Sequence, residues 1–179
     1  MTDSPSLPLP LRWAERLTVG VGWLAAVVVV PLALATCYEV FARYIFTAPT
    51  IWAFELGYML TGSHFLLGAA ITLQRGQHIR IDLFYARLTP KRRAMVDLIC
   101  YLLLFVPFAV FLSGRLWEYM EHAVKTGELS GQSAWNPPIW PFRLVFFCGF
   151  ALLALQALVE AVKAIYALRG RPFGVYATS

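Results

Sequence analysis

Three polar side chains lie inside long apolar stretches, where a polar group is costly and is therefore a first candidate for function. They are Glu55, His64 and Gln156. Glu55 follows Trp52 by three residues, and tryptophan is typical of a membrane–water interface. We therefore expect Glu55 to lie near the lipid headgroups and to pair with Arg43 or with another subunit, rather than to relay protons. Gln156 is expected to hydrogen-bond to a neighbouring helix.

His64 admits two interpretations. As a haem ligand it would need a second histidine at similar depth on another helix, but His78 falls in a basic loop and His122 lies beyond the third apolar stretch. The alternative is a helix contact, because His64 belongs to a row of small or weakly polar residues spaced three or four positions apart. The members of this small-residue stripe are Ala53, Gly57, Thr61, His64, Gly68 and Thr72. Such a face lets another helix approach closely, and the stripe is predicted to be a helix-packing surface.

The remaining polar residues predict no catalytic, cofactor or metal site. Glu39 and Arg43 stand four residues apart, so on a helix they can form an ordinary ion pair. The three cysteines form neither a CxxC pair nor a zinc-binding spacing with histidine. No triad-like arrangement and no glycine-rich phosphate loop is present. With so few polar groups inside the apolar stretches, no path for a polar substrate can be drawn through this chain alone.

The elements that must carry these residues are membrane-spanning helices. The 179 residues are 59% hydrophobic and only 14% charged, whereas soluble domains are about a quarter charged. Four apolar stretches each reach the roughly 20 residues that a helix needs to cross a bilayer. They cover about residues 17–38, 51–73, 94–112 and 139–168. The sequence therefore predicts an all-α, single-domain membrane protein over residues 1–179, with a mobile tail at 1–11.

The third helix is predicted to be longer than the bilayer. Its pattern begins at Thr89-Pro90 and continues to Thr126, which corresponds to about 55 Å of helix. Such a helix must tilt or project from the membrane, and Pro107 is expected to kink it. Residues 129–141, which contain three prolines, cannot form regular helix.

The distribution of cations predicts the orientation. Cations flank the first stretch, fill the segment between the second and third stretches, and end the fourth; the opposite side has four cations diluted by four glutamates. The cations of the first group are Arg12, Arg16, Arg75, Arg80, Arg87, Lys91, Arg92, Arg93, Lys163, Arg169 and Arg171. Both termini are therefore expected in the cytoplasm. The net charge of +5 is explained by this bias, and no nucleic acid is predicted as a partner.

The first stretch also resembles a secretory signal. Arg12 and Arg16 precede it, and Ala33-Leu34-Ala35 matches an A-x-A cleavage site. The apolar run of roughly 22 residues is longer than the 7–15 residues of a typical signal core. A retained first helix is therefore favoured over cleavage after Ala35.

Short motifs over about residues 15–168 resemble one family. They lie at the ends of the first two helices, in the basic segment, and in the last loop and helix. They include Glu39, Arg43, Tyr44, Trp52, Glu55, Gly68, Arg75, His78, Arg80, Asp82, Glu128, Trp140, Pro141 and Gln156. Their order and spacing are similar to those of the small membrane (Q) subunit of tripartite ATP-independent periplasmic (TRAP) transporters. His64 is not part of this pattern.

The resemblance implies a non-catalytic scaffold in a bacterial inner membrane. Its partners would be a large membrane subunit, which moves substrate by a sodium-driven elevator motion, and a periplasmic binding protein that captures an organic acid. Sodium would bind the large subunit, and this chain would hold no cofactor. The motif residues become candidates for subunit contacts. The substrate itself is not specified by this chain.

Two other functions compete with the scaffold. A haem-binding anchor subunit of a redox complex would use His64, and a Soret band in the purified chain would favour it. A self-sufficient small transporter would be signalled by inverted repeats, and none is visible.

Overall fold

The computed structural model describes residues 8–77, 88–171, 173 and 176, and these form four long helices. The helices are α1 (Leu9–Tyr44), α2 (Ala53–Gln74), α3 (Pro90–Thr126) and α4 (Trp140–Leu168). Each is long and apolar enough to cross a membrane. Within the described residues, extended pairing is limited to a single bridge between Leu129 and Pro138. The predicted all-α fold with four spans is confirmed.

The first helix is longer than predicted. It has 36 residues and begins at Leu9 rather than near residue 17, so residues 9–11 are helical and not part of a mobile tail. Pro10 explains the early start, because proline is well suited to the first turn of a helix. At about 1.5 Å per residue, α1 as well as α3 exceeds the thickness of the bilayer. The observed ends of α2 and α4 lie within two residues of the predicted ones.

α3 contains a wide turn just before its proline. Residues Cys100–Phe105 form a π-helical segment, and Pro107 follows it. A proline ring collides with the carbonyl four residues earlier, which here belongs to Leu103 inside the wide segment. The distortion expected from Pro107 is therefore present as a π-helical turn, a common way for a helix to accommodate such a residue.

α4 is the centre of the packing. Half of its apolar window is buried, against 11% of the windows of α1 and α3. α2 packs against both α1 and α4, and α3 packs chiefly against α4. The core that joins α2, α3 and α4 consists of Ala70, Leu73, Tyr101, Leu152, Leu153, Ala157 and Ala161. The apolar outer faces of α1 and α3 are left uncovered, as expected for surfaces in lipid.

Candidate functional site

Two connecting segments meet at one end of the helices. Residues 45–52 join α1 to α2, and residues 127–139 join α3 to α4. The hydroxyl of Ser133 donates to the carbonyl of Ile51 at 2.9 Å, so the two segments touch. We call this end the loop end. The opposite end, which holds residues 8–16 and 169–171, is called the termini end.

Glu39 fixes the first connecting segment. Its carboxylate accepts a hydrogen bond from Arg43 Nε at 2.9 Å and another from the backbone N–H of Thr50 at 2.9 Å. The Thr50 hydroxyl also donates to Glu39, and it accepts a hydrogen bond from the backbone N–H of Ala53 at 3.3 Å. The predicted Glu39–Arg43 pair is confirmed. Glu39 therefore joins the last turn of α1 to the start of α2.

Glu55 is fully buried in the first turn of α2. The hydroxyl of Ser130 donates to Glu55 Oε2 at 2.5 Å. Ser133 and Asn136 lie near the same carboxylate, while Oε1 is buried without a hydrogen-bond partner among the described residues. The predicted pairing with Arg43 is wrong, because Arg43 already pairs with Glu39 one helical turn away.

The segment around Glu55's partner is a compact loop. Residues 129–138, part of the segment between α3 and α4, are closed by the bridge between Leu129 and Pro138. The N–H of Ser130 donates to the carbonyl of Pro137 at 2.9 Å. Across the loop, the N–H of Gly131 donates to Asn136 Oδ1 at 2.7 Å. The loop therefore has a defined shape on top of α2.

Glu128 joins α3 to α4 at the same end. It accepts two hydrogen bonds from Arg143, at 2.8 and 2.6 Å, and Arg143 also donates to the carbonyl of Tyr119 at 3.0 Å. The hydrogen bonds from Arg143 lower the pKa of Glu128 below its ordinary value, with burial opposing them. His122 Nδ1 lies 3.8 Å from Glu128. These residues line an open cleft of about 450 Å³.

Aromatic residues surround the loop end. Trp52 stacks on Tyr38 with ring centroids 5.9 Å apart, whereas Tyr44 is exposed. Trp140 begins α4 and is exposed, and Pro141 lies in the first turn of that helix. The irregular segment therefore ends before Trp140, two residues earlier than predicted.

A buried polar network at the termini end was not foreseen from the sequence. Gln156 is fully buried; it accepts from the Thr18 hydroxyl at 2.9 Å and donates to Glu160 at 2.8 Å. Lys163 is also buried and lies 2.7 Å from Glu160 and 2.5 Å from Glu15. The predicted hydrogen bond between Gln156 and another helix is thus present, with Thr18 as the donor, and it is one part of a network that ties α1 to α4.

A signal for this network did exist in the sequence. Gln156, Glu160 and Lys163 recur at steps of four and three residues, so they share one face of a helix. Lys163 was assigned to the topology bias alone, and Glu15 and Glu160 were given no role. A polar face within an apolar helix would have identified the three together.

The small-residue stripe of α2 is only partly covered by the described part of this chain: Ala53 is buried, and Gly57, His64, Gly68 and Thr72 are half-buried. A Cβ atom added at Gly57 or Gly68 would meet no atom within 4 Å. Thr61 is exposed, and His64 makes no hydrogen bond within the described residues. The described glycines that allow close approach within the chain are different ones: Gly22 faces Ile71, Gly62 faces Phe142 and Phe146, and Gly149 faces Leu66.

The other predicted residues are placed as follows. Arg75 caps the C-terminal end of α2 and is exposed. His78, Arg80 and Asp82 lie outside the described residues. The haem interpretation depends on His64, and His122 lies beside Glu128 at the loop end rather than at a similar depth. Within the described ranges, no group of three or more histidine, cysteine or acidic residues is placed to hold a metal ion.

Comparison with known proteins identifies the family. The family model described as "Tripartite ATP-independent periplasmic transporters, DctQ component" matches residues 32–166. Comparison with curated proteins gives no match. Transporters of this family combine a small membrane component with a large membrane subunit and a periplasmic binding protein. Because the match covers most of the chain and reaches into all four helices, the chain belongs to the DctQ family, as the small inner-membrane component of a TRAP transporter.

Proposed function

We propose that this chain is the fixed scaffold of a sodium-driven transporter for organic acids, bracing the large membrane subunit and helping the periplasmic binding protein to dock. The observation that carries the proposal is how its polar groups are used. Glu39, Glu128 and the Lys163 network are taken up by contacts within the chain, so they line no route across the membrane. The sodium site and the substrate path would belong to the large subunit.

The large subunit is proposed to pack against the small-residue stripe of α2. Gly57 and Gly68 leave room for another helix at these positions. In lipid there is little hydrophobic drive between helices, so close backbone approach and hydrogen bonds matter most. His64, which has no partner in the described residues, is available to bond across such a contact. Gly68 and the exposed Arg75 would then belong to one subunit contact along α2.

The binding protein is proposed to dock at the loop end. The loop of residues 129–138, called the docking loop from here on, carries Trp135, which is 41% exposed. Trp140, two residues after the loop, is also exposed. Exposed aromatic residues held in a fixed position are frequent anchors of protein–protein contacts. The Glu128–Arg143 pair would hold the adjacent ends of α3 and α4 in place. Glu39, Arg43, Tyr44 and Trp52 would form the neighbouring part of the same surface.

This arrangement requires the loop end to face the periplasm and both termini to face the cytoplasm. The cation bias supports that orientation. Single cysteines introduced by Ser133→Cys, Ser4→Cys and Thr178→Cys, in a background without native cysteines, test it. An impermeant thiol reagent added to intact cells should label only the first, and labelling of Ser4→Cys would contradict the orientation.

The first helix is proposed to remain in the mature protein. Its Glu15 and Thr18 are partners of the buried Lys163 and Gln156 on α4. Cleavage after Ala35 would leave both α4 residues without these partners in lipid. N-terminal sequencing of the membrane-extracted chain should therefore find the start of α1, and a sequence beginning after Ala35 would refute retention.

Reconstitution tests the scaffold role itself. In liposomes with a sodium gradient, the chain alone should take up none of a panel of labelled mono- and dicarboxylic acids. The same vesicles should take up an acid of the panel once the large subunit and the binding protein are added. Uptake by the pure chain above that of empty vesicles would contradict the proposal.

A further inference from the structure

We propose that Glu55 is the positioning residue of the docking loop: its buried carboxylate fixes the loop's shape, and through the loop it controls how the binding protein docks. The second half of this statement rests on the proposed function. The first half concerns the chain alone and can be tested without any partner.

The environment of Glu55 points to the loop as its partner. The side chain is fully buried, and an uncompensated buried charge is very costly. The nearest cation by sequence, Arg43, is held by Glu39. The donor to the carboxylate comes instead from the docking loop: the Ser130 hydroxyl lies 2.5 Å from Oε2, and Ser133 and Asn136 of the same loop lie near the side chain. The charge and the loop conformation therefore depend on each other.

Two features limit how far the loop's own hydrogen bonds can fix its shape. Pro137 and Pro138 have no N–H group, so regular pairing of the two sides of the loop is impossible. Asn136 has a φ of 46°, in the left-handed region that non-glycine residues rarely adopt. Short isolated hairpins are marginally stable even without these features. A buried carboxylate that accepts the Ser130 hydroxyl adds a constraint from outside the loop.

The position of Glu55 on its helix adds to its suitability. It is the third residue of α2, where the positive end of the helix dipole favours a negative charge. The carboxylate is thus held from below by a rigid helix, and it presents its oxygens to the loop above. A change in the loop's conformation would move Trp135, whose backbone N–H donates to the Ser133 hydroxyl at 3.1 Å.

The loop conformation can be measured directly in the isolated full-length chain. A nitroxide label attached through Gln132→Cys, at an exposed loop position in a background without native cysteines, reports local mobility. Glu55→Gln keeps the size of the side chain but removes its negative charge, so the Ser130 hydroxyl no longer donates to a charged acceptor. It should make the label more mobile, and Ser130→Ala should do the same. Glu121→Gln, which removes an exposed acid at the end of α3, should leave mobility unchanged.

Binding measurements then connect the loop to docking. In the complex reconstituted with the large subunit, Glu55→Gln should weaken binding of the binding protein about tenfold, the factor expected when a hydrogen bond to a charged group is lost. Co-purification of the large subunit should be unchanged, which separates positioning from general misfolding. Glu55→Asp, which keeps the charge, should lie between wild type and Glu55→Gln. The combined Glu55→Gln and Ser130→Ala chain should be no worse than either change alone.

Each outcome bears on one half of the proposal. Unchanged label mobility in both Glu55→Gln and Ser130→Ala would overturn it, whatever the binding data show. If Glu55→Gln does not fold, Ser130→Ala alone carries the same test. Raised mobility with unchanged binding would support Glu55 as the residue that shapes the loop and would refute docking at the loop end. Loss of the large subunit together with the binding protein would show a general structural role and would overturn the positioning role.

Discussion

The two ends of the helices use their acidic residues in different ways. At the loop end, Glu39, Glu55 and Glu128 act separately, and each holds a different connecting segment or helix end. At the termini end, Glu15 and Glu160 share one cation, Lys163, in a single network that joins helix to helix. The loop end therefore shapes an exposed surface, whereas the termini end secures the arrangement of α1 and α4. At the loop end these polar contacts hold an irregular loop that carries an exposed tryptophan, Trp135.

The largest expected effect comes from breaking the network at the termini end. Lys163→Met leaves the buried Glu160 and the half-buried Glu15 without their cation and should destabilise the chain by about 3–5 kcal/mol. Thermal unfolding in detergent measures this. Lys125→Met, which removes an exposed cation paired with Glu121, should change the midpoint little.

A neutral version of the network sharpens the same test. Adding Glu15→Gln and Glu160→Gln to Lys163→Met removes all three charges, so it should recover much of the lost stability. A triple variant less stable than Lys163→Met would mean that the acids have favourable partners other than Lys163.

The next effect separates packing within the chain from packing against a partner. A Cβ at Gly149 would lie 2.6 Å from Leu66 Cγ, whereas one at Gly57 would meet nothing within 4 Å. Gly149→Leu should therefore destabilise the isolated chain by about 1–3 kcal/mol, and Gly57→Leu should not. Gly57→Leu and Gly68→Leu should instead lower co-purification of the large subunit severalfold. Normal recovery with both would mean that the stripe faces lipid.

A smaller effect is expected for the polar member of the stripe. His64→Ala should weaken assembly with the large subunit by about 0.6 kcal/mol, the average for one hydrogen bond between membrane helices. The isolated chain should be unaffected, because His64 has no partner in the described residues. Recovery of the large subunit with His64→Ala should exceed its recovery with Gly57→Leu. A larger loss for His64→Ala would contradict this order of effects.

The smallest effect is a pH dependence at the loop end. The pKa of Glu128 is lowered from its ordinary value of 4.5, so its pair with Arg143 contributes stability above that pH and loses it as the pH falls through the lowered value. Glu128→Gln should melt slightly below wild type at pH 7, and the gap should begin to close as the pH falls below 4.5. A gap that stays constant over this range would contradict the assignment.

Local spacing in the sequence was enough for much of this structure. Apolar length predicted four spans, and the separation of Glu39 and Arg43 predicted their pair. The partner of Glu55 could not be found this way, because Ser130 lies 75 positions away in an irregular loop. The same holds for Thr18 and Gln156, which are 138 positions apart. Contacts between distant segments depend on how the helices pack. The periodic spacing of residues along one sequence does not reveal that packing.

The early start of α1 was missed for a different reason. Residues 9–16 contain polar and charged side chains, so a search for apolar length stops before them. Proline in the first turn was a positive signal for a helix start, but it was interpreted as part of a flexible tail. The proline in the first turn, rather than hydrophobicity, marks that boundary.

The π-helical turn of α3 has a consequence for comparing this chain with its relatives. Up to the turn and into it, buried residues step by three and four positions, from Ala94 to Asp97 and Tyr101; after it, Ala109 and Ser113 are four positions apart. Ala109 follows Tyr101 by eight positions, and in a regular helix this step would rotate Ala109 by roughly 80° relative to Tyr101. The additional residue in the wide turn takes up about 100° of rotation, so both residues lie on the buried side of α3. A one-residue deletion there would restore a regular helix but would rotate half of α3 off α4. Alignments with relatives should therefore allow a one-residue gap within Cys100–Phe105.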